Sequence, residues 1–373
     1  MSPRVAIVHD WLTGMRGGEK VLEAICDLYA DATLFTLVRV PGTVSDAIER
    51  RTVRTSFVQR LPRPGRLYRH YLPLYPAAVE MFDLDEYDLV ISSSHCAVKS
   101  VIVRGDARHI CYCHSPMRYA WDQFDAYFGP DQVGEWKSRA LRPVLAALAR
   151  WDAGTAGRVD RFLANSQYVA GRIRRYYNRR STVVYPPVDT EFYRPDPGRA
   201  RSGAGALVVS ALVPYKRLDL AIDACRRAAV PLRIVGQGPE DGRLRRLAAG
   251  ADVEFLGWRS DEEIRTLYQA SEVVLLPGTE DFGIVPVEAQ ACGTPVVALA
   301  AGGSLETVVE GVTGELVAEQ DAEAFADAIR RVLARRLDAG AIRRHAERFS
   351  ISRFKADFAA AVDDTPVHAA AAS

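Results

Sequence analysis

Two successive α/β halves, each a parallel sheet wrapped by helices, are predicted by three features of the sequence. From residue 206 onward, "ALVVSALV", "PLRIVG", "VEFLG", "VVLLP", "PVVAL" and "GELV" are short β-rich runs, most of them followed by a helix-compatible segment. That alternation specifies strands joined through helical crossovers. The first half repeats it less cleanly, with "RVAIV", "DLVIS", "RHICYC" and "RFLANS" as strands and a long helix from 132 to about 156. Between the halves, "YPPVDTEFYRPDPGRARSGAGA", residues 185 to 206, is rich in proline and glycine without sustained periodicity and reads as a linker. The expected organisation is therefore a Rossmann-like domain over 1–190, a second over 191–350, and a C-terminal helix and tail over 351–373. For that last segment, built on "SISRFKADFAAAVDD" and a frayed "TPVHAAAAS", a return to the first domain is one arrangement.

With 373 residues, 48% of them hydrophobic, the chain has enough apolar material for two cores. A net charge of +1 provides no field for nucleic acid, so electrostatic specialisation must be local. No run of 18 apolar residues occurs, and the start "MSPRVAIVHDW" reaches Asp10 before a signal-peptide core forms, so a cytoplasmic protein is expected. The six cysteines, Cys26, Cys96, Cys111, Cys113, Cys225 and Cys292, sit mostly in apolar runs, as small hydrophobes in a reducing compartment do.

The most informative stretch is "GTEDFGIVPVEAQACGTPVV", residues 278 to 297. "VVLLP" before it is a buried strand. Pro286 suits the first position of a helix, where a missing N–H costs nothing, and Gly293 suits its end. Glu280 then lies in the strand-to-helix loop and Glu288 in the first helical turn, both facing the crevice at the strand's carboxyl end where open α/β sheets bind ligands. N–H groups near Gly283, Ile284 and Val285 would attract anionic oxygen there. Carboxylates accept hydrogen bonds from vicinal diols and a helix terminus favours phosphate; a nucleotide-sugar presents both. The alternative for Glu288 is a charge that complements the helix dipole. In "LVPYKRLDLAI", Lys216 and Arg217 follow a strand and open a helix, where they either neutralise a diphosphate or form solvated surface. "IVGQGPEDG" places Gly236 and Gly238 after a strand, for close backbone approach, but Asp241 stands where a dinucleotide fingerprint has its third glycine.

Here the resemblance becomes specific. The second half resembles the nucleotide-sugar domain of retaining GT-B glycosyltransferases of glycosyltransferase family 4, the "glycosyl transferases group 1" domain. Glu280, seven residues, then Glu288 matches the family's paired-glutamate motif, "PVEAQACGTPVVA" its following helix and strand, and "LVPYKRLDLAI" its phosphate-binding segment, through most of 206 to 335. The resemblance implies the GT-B arrangement of two Rossmann-like domains facing across a cleft. Glu280 would bind hydroxyls of the donor sugar and Glu288 the ribose, Lys216 would neutralise the diphosphate, and Phe282 through Val285 would complete the donor site. Many members carry an arginine where this chain has Ala211, so one phosphate contact is absent or comes from Arg217.

In the first half, Gly17 and Gly18 of "WLTGMRGGEKVLEAI" stand at the start of a helix; they are either a plain turn or, as the resemblance implies, the glycine loop facing the donor diphosphate. In "HICYCHSPMRYAWDQF", strand alternation puts Cys111 and Cys113 on one face and His114 on the other, without zinc-type spacing, so no metal is expected and the cysteines read as core. "YCHSPMRYAWD" resembles a segment of bacterial mannosyltransferase-type members in which the histidine approaches the donor sugar. Arg118 and Trp121, three apart, would line the acceptor side.

The function expected is retaining transfer of mannose from GDP-mannose to an acceptor hydroxyl, lipid-linked or saccharide, in glycolipid or polysaccharide biosynthesis. No cofactor and no enzymic nucleophile are required, because in the family the leaving diphosphate helps deprotonate the acceptor, unlike the double displacement of retaining glycosidases. The rivals are a sugar-nucleotide epimerase or phosphorylase of similar build and a catalytically silent nucleotide-sugar-binding subunit. Residues 50 to 70, "RRTVRTSFVQRLPRPGRLYRH", carry seven arginines and no acids, interleaved with Phe57, Leu61, Leu67 and Tyr68. They are either a solvated basic face or a surface that rests on anionic lipid, which would make the protein peripheral on the inner face of the membrane.

Overall fold

The computed structural model describes residues 3–196, 198 and 204–364; the tail from 365 and residues 197 and 199–203 of the expected linker lie outside them. The chain forms two compact units, one running from its start to Pro187 and taking in the chain again from Phe354, the other Val188–Arg353.

The first unit is built on seven parallel strands, β1 (Val5–Leu12), β2 (Thr33–Arg39), β3 (Val53–Thr55), β4 (Leu89–Ser94), β5 (Arg108–Cys113), β6 (Arg161–Ala164) and β7 (Ser181–Val183), in the order β3-β2-β1-β4-β5-β6-β7. The order reverses between β1 and β4, which register Val5 against Leu89 and His9 against Ser93. Alternate residues feed opposite faces, as the pleat requires. Ile110 and Tyr112 of β5 pack with Ile7, Ile91, Phe354 and Phe358, while Cys111 and Cys113 pack with Phe162, Val169 and Ile173 beneath the helix Gln167–Tyr177. All six cysteines are free and buried. The long helix is shorter at its start than the sequence suggested: Gly134, at φ +84, separates a turn over Pro130–Val133 from the helix Glu135–Gly154, because only glycine adopts that conformation without strain.

The second unit has six parallel strands, β8 (Ala206–Val209), β9 (Leu232–Val235), β10 (Val253–Gly257), β11 (Val273–Leu276), β12 (Val296–Leu299) and β13 (Gly314–Val317), in the order β10-β9-β8-β11-β12-β13. Each is one of the runs anticipated from the sequence. The reversal falls between β8 and β11, and Rossmann-like sheets bind ligands at that point. The described part of 185–206 is packed rather than free: Val188, Thr190 and Tyr193 are buried, and Val188 bridges to Ser350.

Between β4 and β6, His109 is fully buried, with Nε2 on Ser92 Oγ at 2.8 Å and Nδ1 on the Arg158 carbonyl oxygen at 3.0 Å. Burial pushes its pKa down to about 4. The folded protein thus resists a proton that the unfolded chain accepts near the ordinary histidine value, so this contribution to stability is complete above that value and is lost as pH falls toward the folded one. Urea unfolding of the wild type and of His109→Gln should give stabilities whose difference narrows by on the order of 3 kcal/mol between pH 7 and pH 4; a difference independent of pH would contradict a neutral buried His109.

Candidate functional site

At the sheet reversal of the second unit, two loops are forced together by glycines. After β8 the chain turns through Pro214–Lys216 into the helix Leu218–Ala228; after β11 it runs from Pro277 to Gly283. A Cβ on Gly278 would stand 2.6 Å from the Tyr215 carbonyl oxygen and 2.8 Å from Lys216 Cα, so only glycine lets the loops touch. From the other side, Gly302 bridges to Glu280, Gly303 N–H donates to the Glu280 carbonyl at 2.9 Å, and a Cβ on either glycine would come within 2.2 Å of a carbonyl oxygen of Glu280 or Phe282. The loop carrying Glu280 is therefore clasped, and Lys216 Nζ donates directly to Glu280 Oε1. Both side chains keep some solvent contact, 17% and 14%. A pair so placed contributes about 1 kcal/mol at most.

The following helix spans Ile284–Ala291, capped by Gly283 at φ +91, and so begins two residues before the start expected at Pro286. Proline is tolerated at this third position because none of the first-turn N–H groups has a helical partner. Glu288 accordingly lies in the second turn, beyond the reach of a first-turn dipole role. It is 6% exposed, accepts a hydrogen bond from Tyr268 Oη at 3.1 Å, and faces the Tyr193 hydroxyl. Burial, and then the Glu288 carboxylate, push both phenols above their ordinary values, so both remain protonated donors. Gly293, at φ +74, terminates the helix as anticipated. Gly283, Ile284 and Val285 are half-buried, whereas Phe282 is buried with its ring on Phe349 at 5.5 Å.

Two expectations for this half change. Gly236, at φ +137, approaches the chain itself: a Cβ there would sit 1.8 Å from the Ser210 carbonyl oxygen. Arg217, at φ +53, places its guanidinium on Asp219, at 3.1 Å from both Nε and Nη2, and on Gln320 Oε1 at 3.1 Å. It is therefore already engaged, while Ala211 is exposed.

In the first unit, His114 follows β5 and is held by its own backbone: its N–H donates to the Ser94 carbonyl at 2.8 Å and its carbonyl accepts from Asn165 Nδ2 at 2.9 Å. Its ring meets two further histidines, with centroids 6.4 Å from His9 and 6.1 Å from His95. Ser93 Oγ lies 2.9 Å from His114 Nε2 and 3.1 Å from His9 Nδ1. Gly18 sits beside them, so that a Cβ would lie 3.8 Å from His9 and 3.9 Å from His114. Gly17 opens the helix Gly17–Leu28, and Glu19 of its first turn is buried 4.0 Å from His9 Nε2. Asp10, fully buried, accepts four backbone N–H bonds, from His95, Cys96, Ala97 and Val98, and lies 3.4 Å from His95 Nδ1. Burial depresses the pKa of His114 well below the ordinary value, and the charges of His95, His9 and Arg118 add to it; burial also lowers His95, against the opposing pull of Asp10.

Arg118 thus belongs to this cluster electrostatically. Trp121 is otherwise committed: its indole N–H donates to Asp152 Oδ2 at 2.7 Å and its ring stacks on Tyr176 at 4.7 Å. Sequence reasoning missed His9, Asp10, Glu19, Ser93 and His95. The available signal was polar residues inside one buried strand ("HD" of β1) and at the end of another ("SSSH" of β4). Among the described residues no group of histidine, cysteine and acidic side chains is arranged to hold a metal.

Comparison with known proteins places this geometry. The Glycosyl transferases group 1 family matches residues 189–349, and Glycosyltransferase Family 4 matches 15–192. The chain is 33% identical over 327 residues to a D-inositol 3-phosphate glycosyltransferase of Geodermatophilus obscurus, covering 74% of this chain and 72% of that relative. It is 36% identical over 316 residues to the enzyme of that name from Mycobacterium tuberculosis, covering 72% of this chain and 65% of the relative's length. Among solved structures, Anabaena Alr3699/HepE in complex with UDP superposes with a TM-score of 0.71 at 22% identity, covering 96% of this chain and 99% of that one. WaaG, a glycosyltransferase involved in lipopolysaccharide biosynthesis, gives 0.67 at 17% identity, covering 96% and 100%. The two parallel-sheet units are thus the two Rossmann-like domains of a GT-B fold, and the chain belongs to the group 1, family 4-like glycosyltransferases, enzymes that transfer a sugar from a nucleotide-sugar.

Proposed function

We propose that the protein is a retaining hexosyltransferase whose donor, a nucleoside diphosphate sugar, is held by Lys216, Glu280 and Glu288. The observation that carries this reading is the contact of Lys216 with Glu280 at the carboxyl ends of β8 and β11. Before the donor arrives, ammonium and carboxylate neutralise each other. A nucleoside diphosphate sugar matches both: its phosphates take the ammonium, and its sugar hydroxyls donate to the carboxylate. Glu288, held rigid by tyrosine donors, is suited to accept from the ribose diol. The half-buried helix start at Gly283–Val285 suits the phosphates.

In the transfer step, negative charge grows on the leaving diphosphate, where Lys216 stabilises it without reorganisation. A diphosphate oxygen takes the acceptor proton on the face that the leaving group vacates, and the anomeric configuration is kept without an enzymic nucleophile. With Arg217 engaged by Asp219 and Gln320, the principal counter-charge is Lys216. The histidine cluster of the first unit supports a catalyst over a silent binding subunit, since nucleotide binding alone gives no use for it.

The resemblance of "YCHSPMRYAWD" favours mannose from GDP-mannose. HepE was crystallised with UDP-glucose, and the relatives are named for D-inositol 3-phosphate. A panel of labelled GDP- and UDP-sugars, offered with phosphorylated polyol, saccharide and lipid-linked acceptors, decides donor and acceptor together; sugar transfer with inversion, or none with any donor, overturns the reading.

An anionic membrane surface is proposed as a further partner, in a form that the structure restricts. Tyr68 is buried, and Phe57 and Leu61 pack on the core, so these three are not available for insertion, while Leu67 is half-buried. Arg51 donates to carbonyls of Tyr29 and Ala30, and Arg54 pairs with Glu86. Arg60, Arg63 and Arg66 are exposed. The attraction is then electrostatic, at roughly 1 kcal/mol per basic residue near the surface.

Two outcomes follow. Glu288→Gln should weaken free nucleoside diphosphate by about 1.5 to 3 kcal/mol in calorimetry, whereas Glu280→Gln should lower turnover because its contact reaches only the sugar; a Glu288→Gln variant with a lowered Tm but unchanged nucleotide affinity would make Glu288 structural. Sedimentation with anionic liposomes should be lost at high salt and in Arg60→Ser/Arg63→Ser/Arg66→Ser; binding that survives both would remove this segment from the account.

A further inference from the structure

Around His114 lies a chain of buried polar groups that the transfer step does not use. His9 is fully buried, and its Nε2 has no hydrogen-bond partner. The nearest acidic group is Glu19 Oε1, at 4.0 Å. Glu19 is itself oriented, its other oxygen accepting the Arg16 N–H at 3.1 Å. Burial alone would raise the Glu19 carboxyl, but His9, with His95 adding to it, holds the group below its ordinary value, so it is a carboxylate. On the far side, His9 Nδ1, Ser93 Oγ and His114 Nε2 form two consecutive hydrogen bonds of 3.1 and 2.9 Å.

A hydroxyl has one proton, so Ser93 donates to one imidazole and accepts from the other. With His9 neutral, a state that is part of the inference, only two directions exist. If Ser93 donated to His114, then His9 would carry its proton on Nδ1 and turn a bare Nε2 lone pair toward the Glu19 carboxylate, two negative sites facing one another in a buried region. In the reverse direction His9 carries its proton on Nε2, on the side of the carboxylate 4.0 Å away, and the two attract. We infer that Glu19, through His9 and Ser93, fixes His114 as the Nε2–H tautomer, with its Nδ1 left as a hydrogen-bond acceptor. Nδ1 is bonded to no described residue, and the ring is only half-buried, so this lone pair is the face that His114 offers to a ligand. On the sugar-transfer reading, and only there does the inference rest on it, His114 accepts a hydrogen bond from a hydroxyl of the transferred sugar. Glu19, His9 and Ser93 are then positioning residues: they touch no substrate and decide which partner His114 selects.

The tautomer is read directly from ring-nitrogen NMR shifts of ¹⁵N-histidine-labelled protein, with His114 assigned by His114→Gln. The measurement uses the free protein, so its failure would refute the chain and leave the transferase reading intact. Wild type should show both His9 and His114 protonated at Nε2. In Glu19→Gln, whose amide presents either a donor or an acceptor to His9, the single form of His114 should give way to a mixture; Ser93→Ala, which cuts the chain without touching Glu19, should do the same should the first variant not fold. His114 protonated at Nδ1 in the wild type, a doubly protonated His9, or a tautomer unmoved in both variants would overturn the inference.

Discussion

The carboxylate of Glu280 and the ammonium of Lys216 come from loops after two neighbouring strands, and the donor site depends on those loops meeting with no side chain between them. Gly278 omits a Cβ that would separate them, and Gly302 and Gly303 close the Glu280 loop from the opposite side. Each of these glycines faces backbone carbonyls, which cannot move aside as a flexible side chain would. The ion pair is thus a consequence of backbone packing at the sheet reversal rather than its cause, in keeping with the small stabilisation that a partly solvated pair supplies. A contact that contributes little to folding is one that a ligand can replace at little cost.

The first unit solves a different problem. Its strand ends carry histidines and carboxylates into a buried region, where unpaired polar groups are expensive. Asp10 meets this requirement with four backbone N–H groups, so the turn after β4 is shaped around a single carboxylate and His95 is fixed beside it. Glu19 meets it with the Arg16 N–H and the edge of His9. The same contacts that settle the buried charges also settle His114, which keeps a neutral ring with one nitrogen committed to Ser93.

The sequence was most legible where chemistry and periodicity coincide. All six strands of the second unit stood out because their apolar runs are bounded by glycine, proline or charged residues, and the paired glutamates stood out because helix-stop chemistry framed them. The edge strands β3 and β7, three residues each, were missed, as was β2. Short edge strands carry too few residues for alternation to show. The misplaced helix start at Pro286 came from taking proline as a first-position marker, when glycine at positive φ one turn earlier was the true cap. The pairings of Lys216 with Glu280 and of Arg217 with Gln320 were out of reach: cations near a strand end do not announce their partners, and Glu280 and Gln320 lie 64 and 103 residues away. The histidine cluster was hidden for a similar reason, since His9, Ser93 and His114 meet only through the registers of β1, β4 and β5.

The central claim is that Lys216 is held by Glu280 until a diphosphate takes its place. A double-mutant cycle tests it most directly: calorimetry of free UDP and GDP binding to the wild type, Lys216→Ala, Glu280→Gln and the double variant. Removing the Glu280 charge should tighten the preferred nucleotide about fivefold when Lys216 is present, the worth of a partly exposed pair, and should change nothing when Lys216 is alanine. An equal effect of Glu280→Gln in both backgrounds, or weaker binding when Lys216 is present, would contradict the account.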